Sequence, residues 1–197
     1  MAKLKIKFGF FSLLIIFSLL VSGNKLTYLT LLAVSIHESG HIVASKIFNI
    51  SICELNFGFL GARLKTEDML YSYSQEISLC LFGPIFNFLS AYIAYVILCF
   101  TNYNKENIKF FILSSILLGI INLLPIRTFD GGRIIESLFS YVLHPKKVYT
   151  IVNIFSFITI FCLWSVSVYF LLVYSSSLGL FVFSFSLFFS LFIDKES

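Results

Sequence analysis

The stretch VYTIVNIFSFITIFCLWSVSVYFLLVYSSSLGLFVFSFSLFFSLFI, Val148 to Ile193, runs for 46 residues without an Asp, Glu, Lys or Arg. A bilayer span takes about 20 apolar residues, so this stretch has room for two, hinged at Ser175-Ser176-Ser177-Leu178-Gly179. The rest of the chain has the same character. Of 197 residues, 58% are hydrophobic, 12% are charged and 25 are Phe, and mean hydropathy is +0.95. An average soluble domain carries roughly 25% charged residues, so half that value points to lipid.

Hydropathy places spans at Lys7 to Val21, Leu26 to Phe48, Glu76 to Phe100, Ile108 to Leu124, Val148 to Tyr174 and Leu178 to Ile193. The expected fold is therefore an all-α polytopic membrane protein of about six transmembrane helices. Residues 1–197 would form one membrane-embedded domain with no separate soluble domain. The first span has a second reading as a signal peptide, with Lys3, Lys5 and Lys7 before it and Val21-Ser22-Gly23 after it. Two loops have any size, Asn49 to Gln75 and Pro125 to Lys147. Partial alternation and glycines in Ser51 to Lys65 favour a short membrane-associated β-hairpin between the second and third spans.

Positive residues orient the chain. With a cytoplasmic N-terminus, Lys3, Lys5, Lys7, Lys46, Arg63, Lys65, Arg127, Arg133, Lys146, Lys147 and Lys195 fall inside, and Lys25, Lys105 and Lys109 fall outside. Both termini are then cytoplasmic, and both large loops share that face. The net charge of +4 is explained by topology and calls for no nucleic-acid partner. Cys53, Cys80, Cys99 and Cys162 form no CxxC pair, which argues against a disulfide framework or a thiolate metal site.

The second span contains His37-Glu38-Ser39-Gly40-His41, an HExxH pattern. Residues i and i+4 share one helix face, so both imidazoles reach one metal ion, with Glu38 beside it to take a proton from an attacking water. Two polar residues facing a bundle interior would be the plain alternative. Ionisable groups inside a span cost at least about 2.5–3.5 kcal/mol on insertion scales and mark function by default. Catalytic zinc usually takes three protein ligands. The third histidine, His144, sits in a Lys-rich loop before Pro145 and reads as an interfacial residue. A carboxylate is the better candidate. Asp130, in Asp130-Gly131-Gly132, reads locally as a turn, but it follows the fourth span at the inner end of the membrane, where His41 lies about 10 Å deep at helical rise.

Gly83-Pro84 reads as a kink within the third span. Asn87, one turn on, either satisfies carbonyls freed by that kink or donates to a developing oxyanion, and Asn122 has the same two readings. Phe57-Gly58-Phe59-Leu60-Gly61 offers either a strand edge to an extended substrate, with Gly58, Phe59 and Gly61 as candidate binding positions, or a capping hairpin.

Taken together, these motifs resemble the site-2 protease family of intramembrane metalloproteases. The matching residues are His37, Glu38 and His41; Gly83, Pro84 and Asn87; and Asn122, Pro125, Asp130 and Gly131. Their order is most similar to the sporulation type, the bacterial stage IV sporulation membrane protease, over residues 10 to 195. The resemblance implies one Zn2+ per chain on His37, His41 and Asp130, with Glu38 as catalytic base. It implies hydrolysis of a peptide bond in or near the membrane segment of a membrane-tethered protein, such as a sporulation sigma-factor precursor. It further implies membrane proteins that inhibit or scaffold the enzyme, and an active site open to the cytoplasm. Sporulation-type members continue into a nucleotide-sensing CBS domain, whereas this sequence stops at Asp194-Lys195-Glu196-Ser197. Two rival readings are a membrane metal-ion transporter and a catalytically silent scaffold of the same fold. Transporters often repeat their binding elements in both halves, whereas the His pair occurs in one half here. Retention of all four proposed active groups speaks against a silent scaffold.

Overall fold

Lys5-Ile6-Lys7-Phe8 alternates with the period of a strand, and in the computed structural model these residues form β1 (Lys5–Phe8). The structure describes residues 5–8, 24–50, 52–58, 61–66, 72–101, 105–174 and 178–193. After β1 come α1 (Lys25–Ile47), β2 (Ile52–Gly58), β3 (Gly61–Thr66), α2 (Tyr73–Phe100), α3 (Lys105–Asn122), α4 (Asp130–Ser140), α5 (Pro145–Tyr174) and α6 (Leu178–Ile193). The chain divides into two units, Met1–Leu123 and Leu124–Ser197.

In the first unit the strand order is β1-β2-β3. β1 runs parallel to β2, with Lys5 opposite Glu54, and β2 runs antiparallel to β3, with Gly58 opposite Gly61. α1, α2 and α3 pack against one another. Asn24 caps α1, its Oδ1 accepting from the Leu26 amide at 3.0 Å. The helix is capped at Phe48, and the chain turns away at Asn49, whose φ of 53° is a left-handed conformation that Asn tolerates. The Ile50 amide then donates back to the Ser45 carbonyl at 2.8 Å, and Ile50 is buried with Ala44 and Leu79. This closure positions the start of α2. There Ser72 and Gln75 form a reciprocal capping box, and Gln75 Nε2 donates to the Phe48 carbonyl at 3.0 Å.

The second unit opens with a tight turn. The Ile126 amide donates to Leu124 O and the Phe129 amide to Ile126 O, at 2.7 and 2.8 Å. Ser156 Oγ of α5 accepts from the Arg127 amide at 2.9 Å, and the Arg127 guanidinium lies 4.3 Å from the centre of the Tyr149 ring. α6 packs on α5 through a buried pair of hydroxyls, Ser167 and Ser184, 3.0 Å apart.

These observations correct the expected all-α, six-span architecture. Among the described residues, only α2 and α5 are long and apolar enough to cross a membrane. Only 28% and 17% of their most apolar stretches are buried, whereas the core helix of a soluble protein is mostly buried. α1 is long enough but carries Lys25, His37, Glu38, His41 and Lys46. α3 spends its first turns on Lys105, Glu106 and Lys109. α6 has 16 residues, about 24 Å at helical rise, short of a hydrocarbon core of about 30 Å. The head of the expected first span, Lys7 and Phe8, lies in strand β1, and residues 9–21 of that span lie outside the described set. In place of a lone hairpin there is a three-stranded sheet completed from the N-terminus. The presumed turn at Asp130-Gly131-Gly132 is the first turn of α4.

Candidate metal centre

His37 and His41 lie one turn apart on α1, and both are buried, at 4% and 6% exposure. Their rings meet edge to face, with centroids 4.9 Å apart. The two Nε2 atoms stand 3.2 Å from each other. Two imidazole nitrogens bound to one tetrahedral zinc ion, with bonds of about 2.0–2.1 Å, stand about 3.3 Å apart. The pair thus has the spacing that one ion demands.

α2 brings three residues at four-residue intervals, Leu79, Gly83 and Asn87, against this pair. The Leu79 carbonyl accepts from His41 Nδ1 at 2.8 Å. Asn87, fully buried, places its amide nitrogen 3.0 Å from His37 Nδ1. Between them Gly83 leaves the room the rings occupy. A Cβ there would stand 2.6 Å from both Cε1 and Nε2 of His41 and 2.8 Å from Cε1 of His37. Gly40 of α1 is equally tight, since its Cβ would meet the Phe82 carbonyl oxygen at 2.5 Å. The close approach of the two helices therefore depends on glycine from both sides. Asn87 Oδ1 is buried with no hydrogen-bond partner among the described residues. Such an atom costs about 1–3 kcal/mol, and that cost in a native site calls for an explanation.

The remaining predicted site residues are placed as follows. Glu38 is half-buried on α1, one residue from His37 and hence about 100° around the helix. Asp130 is buried as the first residue of α4, in the second unit. His37, His41 and Asp130 each present one buried ligand atom of a type that zinc takes. His144 is exposed ahead of α5, its Nδ1 accepting weakly from the Lys146 amide at 3.5 Å. Asn122 is half-buried at the end of α3 and donates to the Leu118 carbonyl at 2.9 Å. Gly58 and Gly61 face each other where β2 ends and β3 begins; Phe59 lies outside the described residues. The Leu79 carbonyl and the packing role of Gly83 went unread in the sequence. Their signal was the stripe Leu79, Gly83, Asn87, which repeats the i, i+4 spacing of the histidines it faces.

Residues 102–166 match the model of peptidase family M50. Among solved structures, the site-2 protease from Methanocaldococcus jannaschii aligns over 97% of this chain and 90% of its own length. The TM-score is 0.68 and the identity 20%. The chain has the site-2 protease fold. No curated protein matches it in sequence. The M50-matching segment holds Asn122, Pro125 and Asp130 but not the His37–His41 motif, so segment and motif are separate observations pointing the same way.

Proposed function

We propose that this site-2-protease-like chain is a membrane-embedded zinc endopeptidase. The reading is carried by the two buried Nε2 atoms, 3.2 Å apart, on a helix that also holds Glu38. His37 and His41 hold the ion. Asp130 supplies the third ligand: the histidines alone leave a catalytic site one short, and Asp130 is a buried carboxylate within the M50-matching segment. Zinc, when bound, supplies Lewis acidity toward the scissile carbonyl and the attacking water. Glu38 accepts the proton that the water loses as its oxygen bonds to the carbonyl carbon. Glu38 then delivers that proton to the leaving amine as the C–N bond breaks.

The substrate is a membrane-tethered protein, unwound at the scissile bond and presented in extended form beside β3, which ends the strand order. The sporulation-type motif order favours a transcription-factor precursor, with membrane proteins that inhibit or scaffold the enzyme. Glu38→Gln keeps the size of the side chain, but its carboxamide cannot take the proton. It is expected to retain zinc and fold while cleavage of a co-expressed tethered substrate falls by at least about a hundredfold. Near-normal turnover would refute the base assignment.

The basic residues also support an orientation with Lys146 and Lys147 cytoplasmic and Lys105 on the far side. In a background without the native cysteines, Lys105→Cys should react with an impermeant thiol reagent added outside intact cells, and Lys146→Cys should not. The opposite pattern would invert the chain and leave the metal chemistry unaffected.

A further inference from the structure

The second nitrogen of each histidine faces α2. The Leu79 carbonyl only accepts, so His41 carries a proton on Nδ1 and can present Nε2 to a metal. His37 Nε2 lies 3.2 Å from His41 Nε2, and His37 Nδ1 lies 3.0 Å from the Asn87 amide nitrogen.

We infer that Asn87 is a positioning residue whose carboxamide oxygen fixes His37 in the ligating tautomer when the pair holds a metal. This deepens the metal reading above and rests on it. Binding through His37 Nε2 requires the imidazole proton on Nδ1, with the proton count of the neutral ring unchanged. An Nδ1–H needs an acceptor, and the amide nitrogen now beside it is not one. The acceptor belongs to the same side chain. Asn87 Oδ1 is buried and unpartnered among the described residues, and a half-turn of the carboxamide exchanges oxygen and nitrogen with almost no change of shape. Ligating histidines ordinarily donate their second nitrogen to such an oxygen, which orients the ring and strengthens the ligand. His41 has the Leu79 carbonyl for this purpose, and His37 would have Asn87.

The test is zinc affinity of the purified full chain by chelator competition, with no substrate present. Asn87→Asp keeps an oxygen acceptor at the same place, whereas Asn87→Leu keeps the bulk and loses it. Loss of such a partner typically weakens metal binding by about 10–100-fold. That loss is expected for Asn87→Leu, with Asn87→Asp within about threefold of wild type. Equal affinity of Asn87→Leu and wild type, or equal loss in both variants, overturns the inference. If the leucine variant does not fold, nitrogen-15 spectra of histidine-labelled, zinc-loaded wild type decide: Nδ1 of His37 protonated supports the inference, and Nε2 protonated overturns it. Wild-type protein that binds no zinc overturns the metal reading itself, and this inference with it.

Discussion

At position 83 the side chain must be a hydrogen, because the His37 and His41 rings lie where a methyl would go. Overpacking of this kind costs about 1–3 kcal/mol, and here it is relieved by moving the ligands themselves. Gly83→Ala is therefore expected to lower zinc affinity by at least about tenfold while losing only about 1–3 kcal/mol of stability, measured by chelator competition and thermal unfolding on one sample. Unchanged zinc affinity would mean that the rings stand elsewhere when loaded. The histidine pair itself was legible in the sequence, since HExxH places two imidazoles by helical period alone. What the pair leans on was not, because Leu79 and Asn87 reach it only through the packing of α2 on α1. Asn87 read from sequence as a kink filler or an oxyanion donor; its observed neighbour is His37 Nδ1.

Among the elements, α4 was hidden by its own first turn. Glycine costs about 1 kcal/mol relative to alanine in a helix interior, so Asp130-Gly131-Gly132 reads as a turn. The structure supplies the reason for glycine at 132: a Cβ there would lie 2.2 Å from the Ile126 carbonyl oxygen, inside the turn that delivers Asp130. That neighbour is backbone and cannot swing aside. Gly132→Ala should destabilise the protein by about 1–3 kcal/mol and weaken zinc binding with it, whereas Ser140→Ala, at the far end of α4, should leave zinc binding unchanged. A Gly132→Ala protein with wild-type stability and zinc affinity would show that the turn has slack. The N-terminal strand was missed for a different reason. In Lys5-Ile6-Lys7-Phe8 the lysines were counted as topological charges, and the two-residue period that pairs this segment with β2 is too short to stand out beside an apolar run.

For the molecule as a whole, composition was a sound guide to surroundings and a poor one to span number. Phe157, Ile158, Phe161 and Val166 of α5 are all exposed, as lipid-facing residues are and soluble cores are not. A hydropathy window cannot, however, separate a full crossing from an apolar helix that stops short or carries a polar site, which is why only two sufficiently long and apolar helices stand among the described residues where six spans were expected. Zinc content per chain in purified wild type and in His41→Ala, Asp130→Ala and His144→Ala decides which residues hold the ion. One zinc is expected in wild type and in His144→Ala, with a loss of at least about tenfold in affinity in the other two, as removal of a direct ligand demands. Full zinc retention by Asp130→Ala, or its loss from His144→Ala, would contradict the proposed ligand set.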